Sequence, residues 1–521
     1  MKGSAPRKIQ PFPADGRSAG VLLHVTSLPS PYGIGDMGPT AFAWINRLHD
    51  AGQRWWQALP LGPTGYGDSP YQPLSSFAGN GLLISPESIV ADGLLHETGL
   101  EPHRFSHGSI EYGTVIRFKH GLLDQVWGSF KAGVRKDLRR AYERFCHEQA
   151  HWLEDYALFR ALKRKCGGIS YLAWPMELIK RDSTAITHAR KELSKDMDQV
   201  RFAQFLIFRQ AQRLKEHANA QGIGLIGDLP FFVSPDSSDV WAHPELFLLD
   251  EKCRPRFVAG VPPDYFSADG QLWGNPVYDW DTLRRTGFQF CIDRVRALLT
   301  YVDVIRLDHF RAFAAAWRVP ADAPTARTGF WANAPGVEFF TTIQRELGDL
   351  PLIAEDLGLI TPDVSALRDQ FQIPGTKVLQ FAFDGDPNNP HLPANYSSNS
   401  VVYTGTHDNN TSRAWYEALP EEQRRRVWSC LHRGHGDASM IARELVQEAW
   451  SSRAKLAIAP LQDLLNLGAE ARMNVPGSSR GNWCWRATEE ILKASAFEGL
   501  SKLTDESGRR AANAKALSAA W

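Results

Sequence analysis

Eight short apolar segments punctuate this chain, and helical patterns separate most of them. They span 20–25, 54–60, 223–229, 302–307, 351–355, 377–383, 400–404 and 455–460. Their β-branched content and flanking turn residues mark them as strands. Amphipathic helices are expected between them over 40–51, 199–218, 282–299, 337–347, 363–370 and 420–431. Strand and helix alternating eight times predicts an α/β fold, a closed (β/α)8 TIM barrel. A doubly wound open sheet is the second reading.

The spacing is uneven. About 160 residues lie between the second and third strands, too many for a bare loop. Within them, 135–165 reads as one long amphipathic helix with Leu138, Tyr142, Phe145, Leu153, Tyr156 and Phe159 on one stripe. A mainly helical insertion is therefore expected over 62–221, and an aromatic, Pro- and Asp-rich loop insertion over 234–280, both hung on a single barrel spanning 1–521. A surface helix is expected after Asp505. About 60 residues follow the eighth strand, short of the roughly 100 of an immunoglobulin-like sandwich, so no C-terminal β-sandwich is expected.

The charge balance narrows the partners. With 58 Lys+Arg against 58 Asp+Glu, the chain carries no long-range field to gather nucleic acid or anionic lipid. Its longest apolar runs are a few residues, and its basic N-terminus lacks the apolar core of a secretory signal. Six scattered cysteines form no C-x-x-C pair, as in a reducing cytoplasm. Many of the 17 Trp, 13 Tyr and 27 Phe fall in Gly-, Pro- and Asn-rich segments. Aromatic faces beside amides and carboxylates suit sugar rings, whose C–H faces stack on them.

Two motifs invite readings that their context does not support. His147-Glu-Gln-Ala-His151 fits the zinc-peptidase pattern, but both imidazoles fall opposite the apolar stripe, on a solvated face. Gly33-Ile-Gly35-Asp-Met-Gly38 fits G-x-G-x-x-G, yet seven residues separate it from its strand and the next strand ends without an acid. It reads as a glycine-rich loop at the barrel mouth.

Three other segments each put an acid at the C-terminal end of an apolar strand: Arg306-Leu-Asp308-His309, Ala354-Glu355-Asp356 and Thr406-His407-Asp408-Asn409. In a barrel all these ends open on the face where active sites are built. One such acid alone is often a helix cap; three on strands four, five and seven imply a reaction or a cation, because burying unpaired charges is costly. His309 and His407 keep a metal site open as an alternative. Glycosidic bond cleavage fits better. It takes a carboxylate nucleophile and a protonated carboxyl, about 5–5.5 Å apart for retention. Arg306, two residues before Asp308 on the same strand face, is placed to keep Asp308 ionised. Glu355 has no such basic neighbour and is the expected acid/base. Asp408 would hold sugar hydroxyls at the transition state.

At these residues the chain resembles the bacterial 4-α-glucanotransferases (amylomaltases, or disproportionating enzymes) of glycoside hydrolase family 77. The resemblance runs nearly end to end: Ser69-Pro-Tyr71, Phe77-Ala-Gly-Asn80, Ile226-Gly-Asp228, Asp239-Val-Trp241, Val258-Ala-Gly-Val-Pro-Pro-Asp-Tyr265-Phe266, Gly270-Gln271-Leu-Trp273-Gly-Asn275-Pro276, the three acid-bearing segments, and Arg472-Met-Asn474-Val-Pro476-Gly. The resemblance implies Asp308 as nucleophile, Glu355 as acid/base and Asp408 as transition-state stabiliser. It implies that Arg306, His309 and His407 surround the sugar, that Tyr71 stacks on it, and that Asp228 makes a nearby polar contact. It places Tyr265, Phe266, Gln271 and Trp273 in a loop over the acceptor side, and Asn474 and Pro476 in a donor-side loop. It implies no cofactor and no metal, α-1,4-glucans and maltooligosaccharides as partners, and a monomer or homodimer. Departures are small: Ala312 replaces the usual Gly, Asn410 a common acid, and Val475 and Ser478 a common Thr. The implied reaction is retaining transfer of a glucan segment to an acceptor 4-hydroxyl; the alternatives are an α-amylase-type hydrolase and a non-catalytic glucan-binding protein.

Overall fold

The computed structural model describes residues 16–96, 105–133, 135–263, 267–348, 351–478, 480–492 and 494–510. Twelve strands run through the described residues: β1 (Ser18–Leu22), β2 (Trp55–Gln57), β3 (Gly224–Leu229), β4 (Phe257–Val261), β5 (Gln271–Pro276), β6 (Val304–Leu307), β7 (Ala315–Pro320), β8 (Phe330–Asn333), β9 (Leu352–Ala354), β10 (Gly375–Val378), β11 (Ser400–Tyr403) and β12 (Leu456–Pro460). Eight close a parallel barrel in the order β1-β12-β11-β10-β9-β6-β3-β2. Each overlaps one of the eight apolar segments read from the sequence.

Alternation along these strands divides the core. Leu22, Ile226, Val304, Ile353, Val401, Tyr403 and Ile458 fill the barrel interior. Ile305, Leu307 and Leu352 face outward into the layer of surrounding helices. Arg306 and Asp228, paired across β6 and β3, share the inward parity. Leu307 pairs with Ala354, so the residues that follow, Asp308 and Glu355, leave neighbouring strands at the same level.

Between β2 and β3 lie the helices Tyr112–Lys131, Lys136–Glu148, Ala150–Lys165, Ser183–Glu192 and Ser194–Ala220. The single helix expected over 135–165 is two, broken at Gln149 (φ −101°, ψ 6°). Tyr142 and Phe145 meet Phe202, Phe205 and Phe208 on the long helix, and beyond the break Trp152 stacks on both Phe208 and Phe77. The helix expected over 282–299 also breaks, into Trp280–Arg285 and Gln289–Leu299, at Gly287 and Phe288 with φ of +63° and +57°.

The 234–280 insertion, expected as a loop, carries β4 and β5, which join β7 and β8 in an antiparallel sheet of order β5-β4-β7-β8. After β12 the described residues hold no further strand: helices, turns, irregular segments and one isolated antiparallel bridge from Trp485 to Ser109. The expected surface helix after Asp505 is corrected: helix Ala494–Glu506 ends at the start of that stretch, and Arg509 is fully buried, donating to the carbonyls of Ser18, Trp450, Ser452 and Ala454. These contacts tie the segment after helix Ala494–Glu506 to the start of β1. The rest of that expected helix, 511–521, lies outside the described residues. Among the described residues no helix is long and apolar enough to cross a membrane.

Both misleading motifs resolve locally. His147 and His151 fall on opposite sides of the break at Gln149, and both are exposed. In the glycine-rich loop, Gly38 caps helix Pro39–Asp50, and buried Asp36 pairs with Lys119 at 3.4 Å, while Lys119 also donates to the Ile84 carbonyl. The loop is anchored to the helical insertion through that pair.

Candidate active site

The barrel's C-terminal mouth gathers the acids that leave β3, β6, β9 and β11. Asp228 lies within β3, and Arg306 reaches it from the adjacent β6: Nη1 donates to Asp228 Oδ2 at 2.7 Å and to Asp308 Oδ1 at 3.0 Å. Tyr71, from the loop after β2, donates its hydroxyl to the same Asp228 oxygen at 2.8 Å. Burial drives the Asp228 carboxyl upward, with Arg306 opposing it, and keeps the Tyr71 phenol well above its ordinary range. The Arg306 guanidinium, facing Asp228, Tyr71, Asp308 and Glu355, is held in its charged form against the cost of its own burial.

Glu355 is treated differently. Its carboxylate accepts the backbone N–H of His309 at 2.7 Å and that of Leu357 at 3.3 Å. His309 sits at φ +50°, in the left-handed region. A non-glycine residue there costs roughly 1–2 kcal/mol, and the turn directs its N–H at Glu355. Enclosure in the barrel mouth pushes the Glu355 carboxyl up to about 8; Arg306 pulls the other way and the Asp308 charge adds to the rise. The adjacent Asp356 turns from the cleft to Arg368 and the Thr376 N–H, which pins the end of β9.

Asp408 leaves β11 in the loop after Thr404. Asn474 Nδ2 donates to its Oδ1 at 2.6 Å, Arg472 donates to its carbonyl, and His407 Nε2 lies 3.5 Å from the same carboxylate. The His407 ring stacks on Tyr71, with centroids 5.0 Å apart and planes within 14°. One contact path therefore links the three acids: Asp408 to His407, Tyr71, Asp228, Arg306 and Asp308, with His309 closing on Glu355. The side chain of His309 meets Trp273 edge to face at 4.8 Å, and burial lowers its pKa to about 4, so the imidazole is neutral near pH 7. Trp273 donates to the exposed Gln271.

Of the residues singled out in the sequence, Tyr71, Asp228, Arg306, Asp308, His309, Glu355, His407, Asp408 and Asn474 share this contact path, and Trp273 and Gln271 border it. Pro476 lies on an exposed turn whose flanks are braced by Asn482. Tyr265 and Phe266 lie outside the described residues. Two aromatics were not singled out. Trp483 packs at 5.8 Å from Tyr71 and 5.9 Å from His407, and Phe232 lies near both His309 and Trp273. Trp483 sits in Gly481-Asn-Trp483, the same aromatic-in-a-polar-loop signal that marks Ser69-Pro-Tyr71 and Gly270-Gln271-Leu-Trp273.

Chemically, the mouth offers a carboxylate hydrogen-bonded to a guanidinium, a carboxyl that stays protonated near neutrality, and a third acid held by an amide. Among the described residues no group of three or more His, Cys, Asp or Glu is arranged to hold a metal ion.

The family model described as 4-alpha-glucanotransferase matches residues 23–492. The chain is 48% identical over 480 residues to a 4-alpha-glucanotransferase of Thermus thermophilus, covering 90% of this chain and 94% of that one. It is 47% identical over 500 residues to a 4-alpha-glucanotransferase of Synechocystis sp., covering 95% and 99%. Its fold matches the amylomaltase from Streptococcus agalactiae solved in complex with acarbose, with a TM-score of 0.92, 36% identity, and 95% and 100% of the two chains covered.

Proposed function

The chain belongs to glycoside hydrolase family 77, the 4-alpha-glucanotransferases, and on that footing we propose how its own residues move an α-1,4-glucan segment from a donor to the 4-hydroxyl of an acceptor. Asp308, hydrogen-bonded to Arg306, attacks the anomeric carbon. As the bond to the leaving oxygen breaks, Glu355 gives that oxygen its proton. The enzyme now holds the donor segment as a glycosyl ester on Asp308, and Glu355 is a carboxylate. The acceptor's 4-hydroxyl then attacks the same carbon, loses its proton to Glu355 and displaces Asp308. Two inversions give net retention. Asp408, fixed by Asn474, accepts sugar hydroxyls while the ring flattens toward the oxocarbenium-like state. Neutral His309 and the Tyr71–His407 stack line the sugar, and Trp273 with Gln271 forms the acceptor side. Maltooligosaccharides are the partners this surface suits, and six free cysteines suit a cytoplasmic setting.

The observation that carries this reading is the unlike treatment of two neighbouring acids: Arg306 is hydrogen-bonded to Asp308, while Glu355 receives only backbone N–H groups and is driven toward its protonated form. Incubation with maltotriose tests it. Transfer gives a ladder of longer and shorter oligomers with little change in total reducing ends; a steady rise in reducing ends would make the protein a hydrolase. Asp308→Asn should abolish the glycosyl adduct that an activated donor leaves on the parent enzyme, read by mass spectrometry.

A further inference from the structure

Asp463 stands outside the contact path above. It lies in the short helix Leu461–Leu464, directly after β12, and is buried at 3% exposure. Its Oδ2 accepts the hydroxyls of Thr404 at 2.5 Å and Ser412 at 2.7 Å, and its Oδ1 accepts the Ser412 backbone N–H at 2.7 Å. Among the described residues no cationic side chain pairs with it. A buried carboxylate without a cation is costly; here three converging donors oppose that cost, while burial still holds the carboxyl above its ordinary range.

Those donors sit at the two ends of one loop. Thr404 follows the last residue of β11, and Ser412 opens helix Ser412–Ala418. Between them run His407 and Asp408. Gln380 closes the base from the other side, donating to the Asn410 carbonyl at 3.0 Å; a side chain at Gly405 would bring a Cβ within 2.6 Å of that amide. The same post-β12 segment also holds the tip, through Arg472 on the Asp408 carbonyl and Asn474 on its carboxylate.

We propose that Asp463 is a positioning residue for transglycosylation: its carboxylate clamps both ends of the 404–412 loop and so fixes where Asp408 and His407 meet the sugar. The proposal rests on the role given to Asp408 above. Interactions of this kind matter most to a group that acts in the transition state, because a displacement near 1 Å can cost on the order of a hundredfold in rate.

The test compares Asp463→Ala, Asp463→Asn, Thr404→Val, Ser412→Ala and Asp408→Asn in maltotriose transfer, with melting followed in parallel. Asp463→Ala should lower kcat at least tenfold on folded enzyme while KM changes less than threefold. Asp463→Asn should restore most of that loss, since the two hydroxyls can turn to accept from the amide. Thr404→Val and Ser412→Ala each remove one donor and should lower kcat a few-fold; they carry the test if Asp463→Ala does not fold. A folded Asp463→Ala with parental kcat, or unchanged kcat in both single-donor variants, overturns the clamp. Full turnover in Asp408→Asn would instead overturn the role of Asp408 itself, and the clamp with it.

Discussion

Glu355 ties stability to the proposed chemistry through one titration. An exposed glutamate ionises near 4.5, whereas in the barrel mouth this carboxyl is pushed up to about 8. That is roughly three and a half decades in acid dissociation, a ceiling of about 5 kcal/mol at 1.36 kcal/mol per decade. Its cleft-facing side is partly open to solvent, so about 2 kcal/mol is the expected observable. Below pH 4.5 the group is protonated in both folded and unfolded chains and contributes no penalty. As pH rises from 4.5 the unfolded chain ionises first, so the folded state loses stability steadily, until above about 8 both forms are ionised and the penalty is constant. Glu355→Gln does not titrate. Its stability relative to the parent should therefore rise between pH 4.5 and 8 and level off above. The hydrogen bonds altered at His309 and Leu357 add only a pH-independent offset. Paired thermal or denaturant melts across this range measure the slope, and the parent's rate of glycosyl-enzyme formation should fall as pH passes about 8. A parent-minus-variant difference that stays flat from pH 4.5 to 8 would refute the protonated carboxyl and, with it, the acid role.

Two further outcomes follow from particular contacts. Trp273→Ala removes the ring set edge-on against His309 on the proposed acceptor side; loss of such an aromatic face should raise the acceptor KM roughly three- to tenfold, given about 0.5–1.5 kcal/mol per aromatic contact, and increase the share of glucose released to water, both read from maltotriose product profiles. Lys119→Met leaves Asp36 buried without its partner and should cost roughly 3–5 kcal/mol of stability, whereas Lys119→Met with Asp36→Asn should recover much of it; a Lys119→Met variant that melts with the parent would show that the pair contributes nothing.

The barrel was legible because its signal is redundant. Eight apolar segments at strand length each announce themselves, and closure follows from their number and parallel alternation. The four-stranded side sheet was not, for a physical reason. β4, β5, β7 and β8 are no shorter than the barrel strands, but they lie half on the surface and include Gly260, Gly274, Pro276 and Pro320. Residues of that kind mark turns in a linear reading; here they are strands because their partners, about 60 residues away between β4 and β7, supply the hydrogen bonds. The break at Gln149 was invisible on similar grounds. A helix that continues and one that bends have the same period, so the apolar stripe alone does not separate them.

The site divides along the same line. Acids at strand ends could be picked out because each strand end is local, and Arg306 could be assigned to Asp308 because residues two apart on a strand share a face. Asp228 as a second partner of Arg306 depends on the register between β3 and β6, which no linear pattern states. The shift of Glu355 depends on enclosure and on the N–H of His309, whose left-handed backbone is unexpected for histidine. Asp463 is the extreme case. In sequence it is one acid in an ordinary Pro-Leu-Gln-Asp run, and only the return of β12 beside β11 brings it under the loop that carries Asp408. Residues that touch the sugar must sit at the mouth and can be sought there; residues that hold them are found only once the strand order is known.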